Sequence, residues 1–342
     1  MHNFRGVTFN KKFQSKSCPI SGTHMAAIIS AGETGFTVLT EMAKHNAVVV
    51  VGGNPVGLHN QFVPVANLTY IFKDVGIMGW FTGGGHGYLS STYGMGADNL
   101  LEATIITPNG DVVTANACSH IELFFAIRGG GGGTYGVVIE AVMRAYPSPK
   151  SAIHNLQVGS KNSNISSEYW ELMAYIHSEL PRLKNGGMQG YYYMVGPPLA
   201  PTLSLLWSFY LYDKPNGTAE ALFAPIAARL SNASSYFIYK ASVDTASNFY
   251  DAYLTTASNE PVATGGSAYG SRLLPERALV DMALVAKTFE KIGPSPNILK
   301  PSVCHDSPII LLLVSSGTRG FFSGAVRLLL PYNISFRILI II

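Results

Sequence analysis

Along the chain the spacing of hydrophobic and polar positions changes period several times, and each change marks an element. "MAAIIS", residues 25–30, is a short apolar strand. "GETGFTVLTEMAKHN" follows with Phe36, Leu39 and Met42 at helical spacing, and "AVVVVGG" is a β-branched strand ending on glycines. Strand, helix and strand in this length predict a βαβ unit, and therefore some parallel pairing in a mixed sheet. From Leu100 to Ala117 the pattern alternates on either side of Pro108-Asn109-Gly110. Asn-Gly between two apolar runs predicts a hairpin. A further strand is expected from Val137 to about Ala145, and Pro147 and Pro149 mark a boundary near residue 150.

Beyond that boundary the texture changes. "SSEYWELMAYIHSEL" has the spacing of an amphipathic helix with Ser166 or Ser167 as N-cap. "MQGYYYMVG" and "TLSLLWSFYLY" are aromatic strands, and "NGTAEALFAPIAARL" is a helix starting at Thr218 with Pro225 as a kink. This predicts an antiparallel sheet with helices, so the whole is read as α+β. The last stretch holds "SPIILLLVSSG" and "SFRILIII", interrupted by Arg319, Arg327, Pro331 and Arg337. No run reaches the roughly 20 apolar residues of a membrane-spanning helix, so no membrane span is expected.

Composition narrows the picture modestly. The net charge is +3, and no Lys/Arg run accompanies it, so a nucleic-acid partner is not expected. Cys18, Cys118 and Cys304 are far apart and form neither a disulfide framework nor a metal pattern. One long-range bridge and three free thiols both remain open. Asn-X-Ser/Thr sequons stand at Asn67, Asn164, Asn216, Asn232 and Asn333. Together they lean toward a secreted parent protein, although no apolar leader follows Met1.

The chemistry concentrates in two glycine clusters, Gly83-Gly84-Gly85 and Gly129 to Gly133, which flank the hairpin. They are expected at strand ends and on one side of the lobe. Glycine lets backbone N–H groups approach a ligand, and convergent N–H groups make a nest for an anion such as a pyrophosphate. Flexible surface turns are the competing explanation. A G-x-G-x-x-G site between a first strand and a helix is disfavoured because a hairpin follows, and no Gly-Lys-Ser/Thr marks a Walker loop.

"GWFTGGGHGYLSSTYGMGADNLLEATIITPNGDVV" followed by "ELFFAIRGGGGGTYGVV" resembles the flavin-binding domain of the vanillyl-alcohol oxidase / p-cresol methylhydroxylase (PCMH) superfamily. The nearest branch is the berberine-bridge-enzyme-like oxidases of the fungal type. "SRLLP" at Ser271–Pro275 also looks like that family's substrate domain. The resemblance implies the second lobe of a PCMH-type FAD-binding domain, then an antiparallel-sheet substrate domain covered by helices. It implies FAD as cofactor and hydride transfer to flavin from a C–O or C–N centre of a small-molecule substrate, with O2 as acceptor. Carried over by motif, Thr82, Gly83, Gly84, Gly85 and His86 would border the pyrophosphate and ribitol. Tyr93, Gly94, Asp98 and Asn99 match the following "YG-x-G-x-DN", and Gly132, Gly133, Thr134, Gly136, Val137 and Val138 match the second loop. His86 is a structural hydrogen-bonder or a chemical group; Asp98 and Asn99 brace the loop or touch the ligand. Tyr191 and Tyr193, on one face of a strand, are the candidates for a general base, which would require a lowered phenol pKa. Packing is the competing role for both.

The sequence also departs from the family. The chain starts just after the family's first lobe, and Val56–Lys73 splits Pro55 from Asp74 where relatives run uninterrupted. That segment reads as an insertion or a retained intron. Asn54 stands near where doubly linked members carry a flavin-bonded cysteine. The expected organisation is a partial FAD-binding domain over 1–150, a substrate domain over 151–299 and an unmatched tail over 300–342, incomplete at both ends. A chain lacking half the pocket is expected to bind FAD weakly or not at all. A non-catalytic fragment, a pseudogene product or a small-molecule binding module are the alternatives to an oxidoreductase.

Overall fold

The computed structural model describes residues 4–52, 75–197, 200–255, 267–294, 310–314 and 335–341. The segment Val56–Lys73, expected to be an insertion or a retained intron, lies outside the described residues, as do Asn54 and most of the tail. The chain divides into two compact units, and the division falls between Lys150 and Ser151.

The first unit contains β1 (Val7–Phe13), β2 (His24–Ser30), α1 (Gly35–Ala43), β3 (Ala47–Val49), α2 (Ile77–Thr82), α3 (Ser90–Tyr93), β4 (Leu100–Ile106), β5 (Val112–Asn116), α4 (Ile121–Ala126) and β6 (Val137–Pro147). Its sheet has the order β1-β2-β6-β4-β5, with β3 also on β6. The expected parallel pairing is absent: every pair described in this unit is antiparallel. The reason lies in the length of β6. Its Glu140–Arg144 stretch receives β2 and its Ala145–Pro147 stretch receives β3. The two strands flanking α1 therefore run the same way without bonding to each other.

Local sequence explains the elements. Helix α1 starts at a reciprocal cap, Thr37 N–H to Thr34 Oγ1 at 3.3 Å and Thr34 N–H to Thr37 Oγ1 at 3.0 Å. Such a cap is worth about 1 kcal/mol. The helix buries Val38, Leu39 and Met42, while Phe36 stays half-buried. Asn109-Gly110 does turn the hairpin: Gly110 takes φ +89°, and its N–H donates to Thr107 O at 2.9 Å. The register runs from Glu102 opposite Asn116 to Ile106 opposite Val112.

Cys18 and Cys118 form a disulfide that closes a loop of sequence separation 100. Beside it, the buried Glu102 carboxylate accepts from Lys16 N–H at 2.8 Å and from Asn116 Nδ2 at 3.0 Å. Asn116 Nδ2 also donates to Lys16 O. The segment before the bridge is thus stitched to the hairpin by polar bonds as well as by sulfur.

The second unit holds β7 (Ser151–Ser160), α5 (Ser167–Asn185), β8 (Gln189–Val195), β9 (Ser204–Tyr212), α6 (Thr218–Asn232) and β10 (Phe237–Ala246). The chain then forms α7 (Phe249–Thr255), which belongs to the first unit: Phe249 N–H donates to Ser148 Oγ. After it come β11 (Ser267–Leu273), α8 (Met282–Ile292), β12 (Ile310–Val314) and β13 (Ser335–Ile341). The seven-stranded sheet has the order β10-β7-β9-β8-β12-β13-β11. β9 pairs antiparallel with β7 and β8, and so does β12 with β8, but β13 lies parallel to both β11 and β12. The parallel pairs therefore occur in the second unit, within the stretch where an antiparallel sheet and an unmatched tail were expected.

The apolar positions of α5 recur at helical spacing, from Tyr169 and Met173 to Ile176, Leu180 and Leu183, and all are buried. They meet Leu156, Val158, Tyr192, Met194, Trp207 and Phe209 of the sheet, with α6 and α8 adding Phe223, Ile226, Val285 and Phe289. Each such side chain contributes about 2 kcal/mol by leaving water. Ser166 is the N-cap, as expected, but its hydroxyl makes no capping bond.

Candidate functional site

Both glycine clusters follow a short helix rather than a strand. Apolar runs such as "IMGWFT" and "IELFFA" are too short for periodicity to separate the two states, and the glycine that follows each one favours a helix end. In the first cluster α2 ends at Gly83, and Gly84 and Gly85 take φ +101° and +72°. The Trp80 indole fills a slot walled by glycines. A β-carbon at Gly52, Gly85 or Gly96 would come within 2.0, 2.8 or 2.2 Å of its side chain. Its Nε1 donates to His86 O at 3.1 Å. A β-carbon at Gly87 would stand 2.2 Å from Val51 O. These glycines serve close packing.

The next turn is knitted to that loop. Gly96 N–H donates to Gly85 O at 2.7 Å and Ala97 N–H to Gly84 O at 2.9 Å. Asn99 is buried; its Nδ2 donates to Tyr93 O and Met95 O, and its Oδ1 accepts from Tyr146 OH at 2.7 Å. Tyr93 stacks on Tyr146 with centroids 4.1 Å apart. Asp98 Oδ2 accepts from Met95 N–H, and Gly94 sits tight against Asp98 with φ +89°. Tyr93, Gly94, Asp98 and Asn99 therefore brace the loop, and the Asn99 amide is fully engaged in doing so.

The second cluster is brought to the first. Gly131 N–H donates to Thr82 O at 2.8 Å. A β-carbon at Gly132 would lie 3.3 Å from Thr82 Oγ1, and one at Gly129 would lie 3.8 Å from the Gly84 Cα. Thr82 is thus the seam, its hydroxyl donating back to Met78 O at 2.8 Å. The clusters lie on one side of the lobe, as expected. Gly129, Gly131 and Gly133 have positive φ while Gly130 and Gly132 do not, an alternation of the kind found in anion nests; the Gly130 and Gly131 N–H groups are already donated to Ala126 O and Thr82 O. Gly132, Gly133 and Thr134 are exposed, and nothing lies within 4 Å of a β-carbon at Gly133. Gly136 packs against Ile106 O and directly precedes β6, where Val137 is 46% exposed and Val138 buried.

Arg128 was missed by the sequence reading. Its Nε donates to Ala97 O at 2.7 Å, and its guanidinium lies 5.3 Å over the Phe124 ring. This bond ties the residue before the second cluster to Ala97, whose N–H in turn donates to Gly84 O of the first. The readable signal was a lone Arg directly before five glycines. His86 differs: loss of hydration pushes its imidazole down to about 4, although the residue as a whole is only half-buried. Near neutrality it is uncharged.

Tyr191 and Tyr193 lie in the second unit, opposite Ser208 and Leu206 on β9. They occupy the sheet face away from Tyr192, which enters the helix-covered core and donates its hydroxyl to His177 Nε2. Burial raises the Tyr191 phenol well above its ordinary value, and Tyr193 adds to the rise. A general base needs the opposite shift, so the expectation of a lowered pKa fails at Tyr191: the buried phenolate would be stripped of water.

The loops fit a diphosphate cofactor: an exposed glycine turn at Gly132–Thr134, Arg128 four residues before it in sequence, and a buried frame around Thr82. Comparison with known proteins points the same way. The "FAD binding domain" family matches residues 44–116. The chain is 31% identical over 82% of its length to the FAD-linked oxidoreductase apf9 of Gibberella fujikuroi, of which it covers 47%. It is 30% identical over 86% of its length to the VAO-type flavoprotein oxidase VAO615 of Thermothelomyces thermophilus, again covering 47% of that protein. Among solved structures, the VAO-type flavoprotein MtVAO713 from Myceliophthora thermophila C1 superposes with a TM-score of 0.72 at 27% identity, over 86% of this chain and 50% of the other. A BBE-like protein of Physcomitrella patens, at 20% identity and a TM-score of 0.55, shares the fold. The chain spans about half the length of the curated relatives it matches. It is similar to fungal FAD-linked oxidoreductases and VAO-type flavoproteins over about half of their length.

Proposed function

We propose that this chain is part of an oxidase in which the first unit holds FAD and the second presents its sheet to a small-molecule substrate. The observation that carries the reading is the junction at Thr82, where the Gly131 N–H joins two glycine loops and the following Gly132, Gly133 and Thr134 stay exposed. The Gly132, Gly133 and Thr134 N–H groups would hold the pyrophosphate, with Arg128 balancing its charge. The chemistry that FAD supplies when bound is two-electron acceptance from a C–O or C–N centre, with molecular oxygen as terminal acceptor. His86, uncharged near neutrality, adds no positive charge to the pyrophosphate site.

The test is FAD titration of the folded chain, followed by oxygen uptake with a panel of alcohols and amines. Arg128→Ala should weaken FAD binding about tenfold or more, the value of a charge-assisted hydrogen bond. Equal affinity in the Arg128→Ala protein would remove this loop from the cofactor site. Tight FAD binding without oxygen uptake on any substrate would reject the oxidase and leave a binding protein.

A further inference from the structure

Three Asn-X-Ser/Thr sequons fall among the described residues, and the oxidoreductase reading accounts for none of them. Asn164-Ile165-Ser166 stands just before α5, Asn216-Gly217-Thr218 leads into α6, and Asn232-Ala233-Ser234 ends it. All three asparagines are exposed. By contrast, the buried Asn99 and Asn116, whose amides are engaged inside the first unit, lie in no such triplet.

Their placement is one-sided. Helices α5 and α6 cover the face of the seven-stranded sheet that carries Tyr192, Trp207 and Phe209. The three sequons sit at the ends of those helices. No sequon falls in β7, β8 or β9, whose other face bears Tyr191, Ser208 and Tyr210. A glycan at each position would stand in water without displacing a packed side chain. The second observation is the Cys18–Cys118 bridge, because a disulfide of this kind forms and persists in an oxidising compartment, where N-glycosylation also occurs.

We propose that Asn164, Asn216 and Asn232 carry N-linked glycans, acquired on the secretory route, and that the α5–α6 layer is the sugar-bearing face of the second unit. At each site the asparagine Nδ2 attacks C1 of a lipid-linked oligosaccharide diphosphate. The C1–N bond forms, the C1–O bond to the diphosphate breaks, and the amide loses one proton with no change of oxidation state. The inference does not depend on FAD binding.

The experiment is to secrete the full chain from a eukaryotic host behind a leader and release glycans with N-glycosidase in heavy-oxygen water. Peptide mapping should find heavy aspartate at positions 164, 216 and 232. Asn164→Gln, Asn216→Gln and Asn232→Gln should each remove one step of gel mobility. Secreted protein with the bridge intact and all three asparagines unmodified overturns the proposal. If the variants are not exported, translation of the unaltered chain into microsomes decides, since glycan transfer there precedes folding; unmodified peptides at all three positions overturn it equally.

Discussion

An added methyl group at Gly87 would come within 2.2 Å of the Val51 carbonyl oxygen, whereas one at Gly133 would meet nothing within 4 Å. Around the first position the backbone is buried and the Trp80 slot fixes its path; around the second it is exposed and has the alternating φ of an anion nest. Both stretches are glycine-rich for different physical reasons. In the first, absent side chains let protein approach protein. In the second, they leave N–H groups uncovered. A glycine run therefore marks a place where something comes close, and only the surroundings say whether that is the fold itself or a ligand.

The strongest way to disturb the contrast is to cut the tether that precedes the second cluster. Replacing Cys18 and Cys118 by Ser should cost about 4–5 kcal/mol, the chain-entropy value for a loop of this length. Amide exchange should accelerate more in α4 and Gly129–Gly133 than in Gly83–Gly87. Equal acceleration would show that the clusters loosen as one body.

Acid provides a control that touches neither cluster. His177 is fully buried, hydrogen-bonded at Nδ1 to Met173 O, and pushed down to about 4 by burial. The unfolded chain takes up this proton near 6.5 and the folded one near 4. Its contribution is complete above pH 6.5 and is lost as the pH falls to about 4, a change of about 3 kcal/mol. His177→Gln should flatten that part of the stability profile; an unchanged slope would assign it to other groups.

Gly87→Ala tests the packed cluster directly and should cost about 2–3 kcal/mol in denaturant unfolding, because a backbone oxygen cannot step aside cheaply. Gly133→Ala meets no neighbour and carries only the penalty of φ +74°, about 1 kcal/mol. It should nevertheless lower FAD affinity, while Gly87→Ala at a temperature where it stays folded should not. The reverse pattern would exchange the roles of the two loops.

Much of this was legible because it is written locally. Asn109-Gly110 specified its hairpin, the spacing of Tyr169, Met173, Ile176 and Leu180 specified α5, and the prolines at 147 and 149 lie at the division between units. The pairing of strands was not local. Nothing in "MAAIIS" or "AVVVVGG" announces that both will lie on one long β6, and nothing in the tail announces parallel partners. At the site, the motif located the loops and their proximity but not the division of labour within them. That depends on where Trp80 inserts and on the reach of Arg128 to Ala97 O, both tertiary contacts. The pKa of Tyr191 depends on burial, which alternation along β8 could not show because both faces of that strand are covered.

The Cys18–Cys118 bridge also sets an order of events in time. A ribosome adding about 5–20 residues per second makes Cys118 roughly 5–20 s after Cys18. For that interval the Cys18 thiol has no native partner. Cys304 is synthesised later still. Vectorial synthesis thus offers the native pairing before the competing ones exist, so newly made protein should reach the correct bridge more readily than full-length chains refolded from a reduced, denatured pool, where all three thiols compete at once.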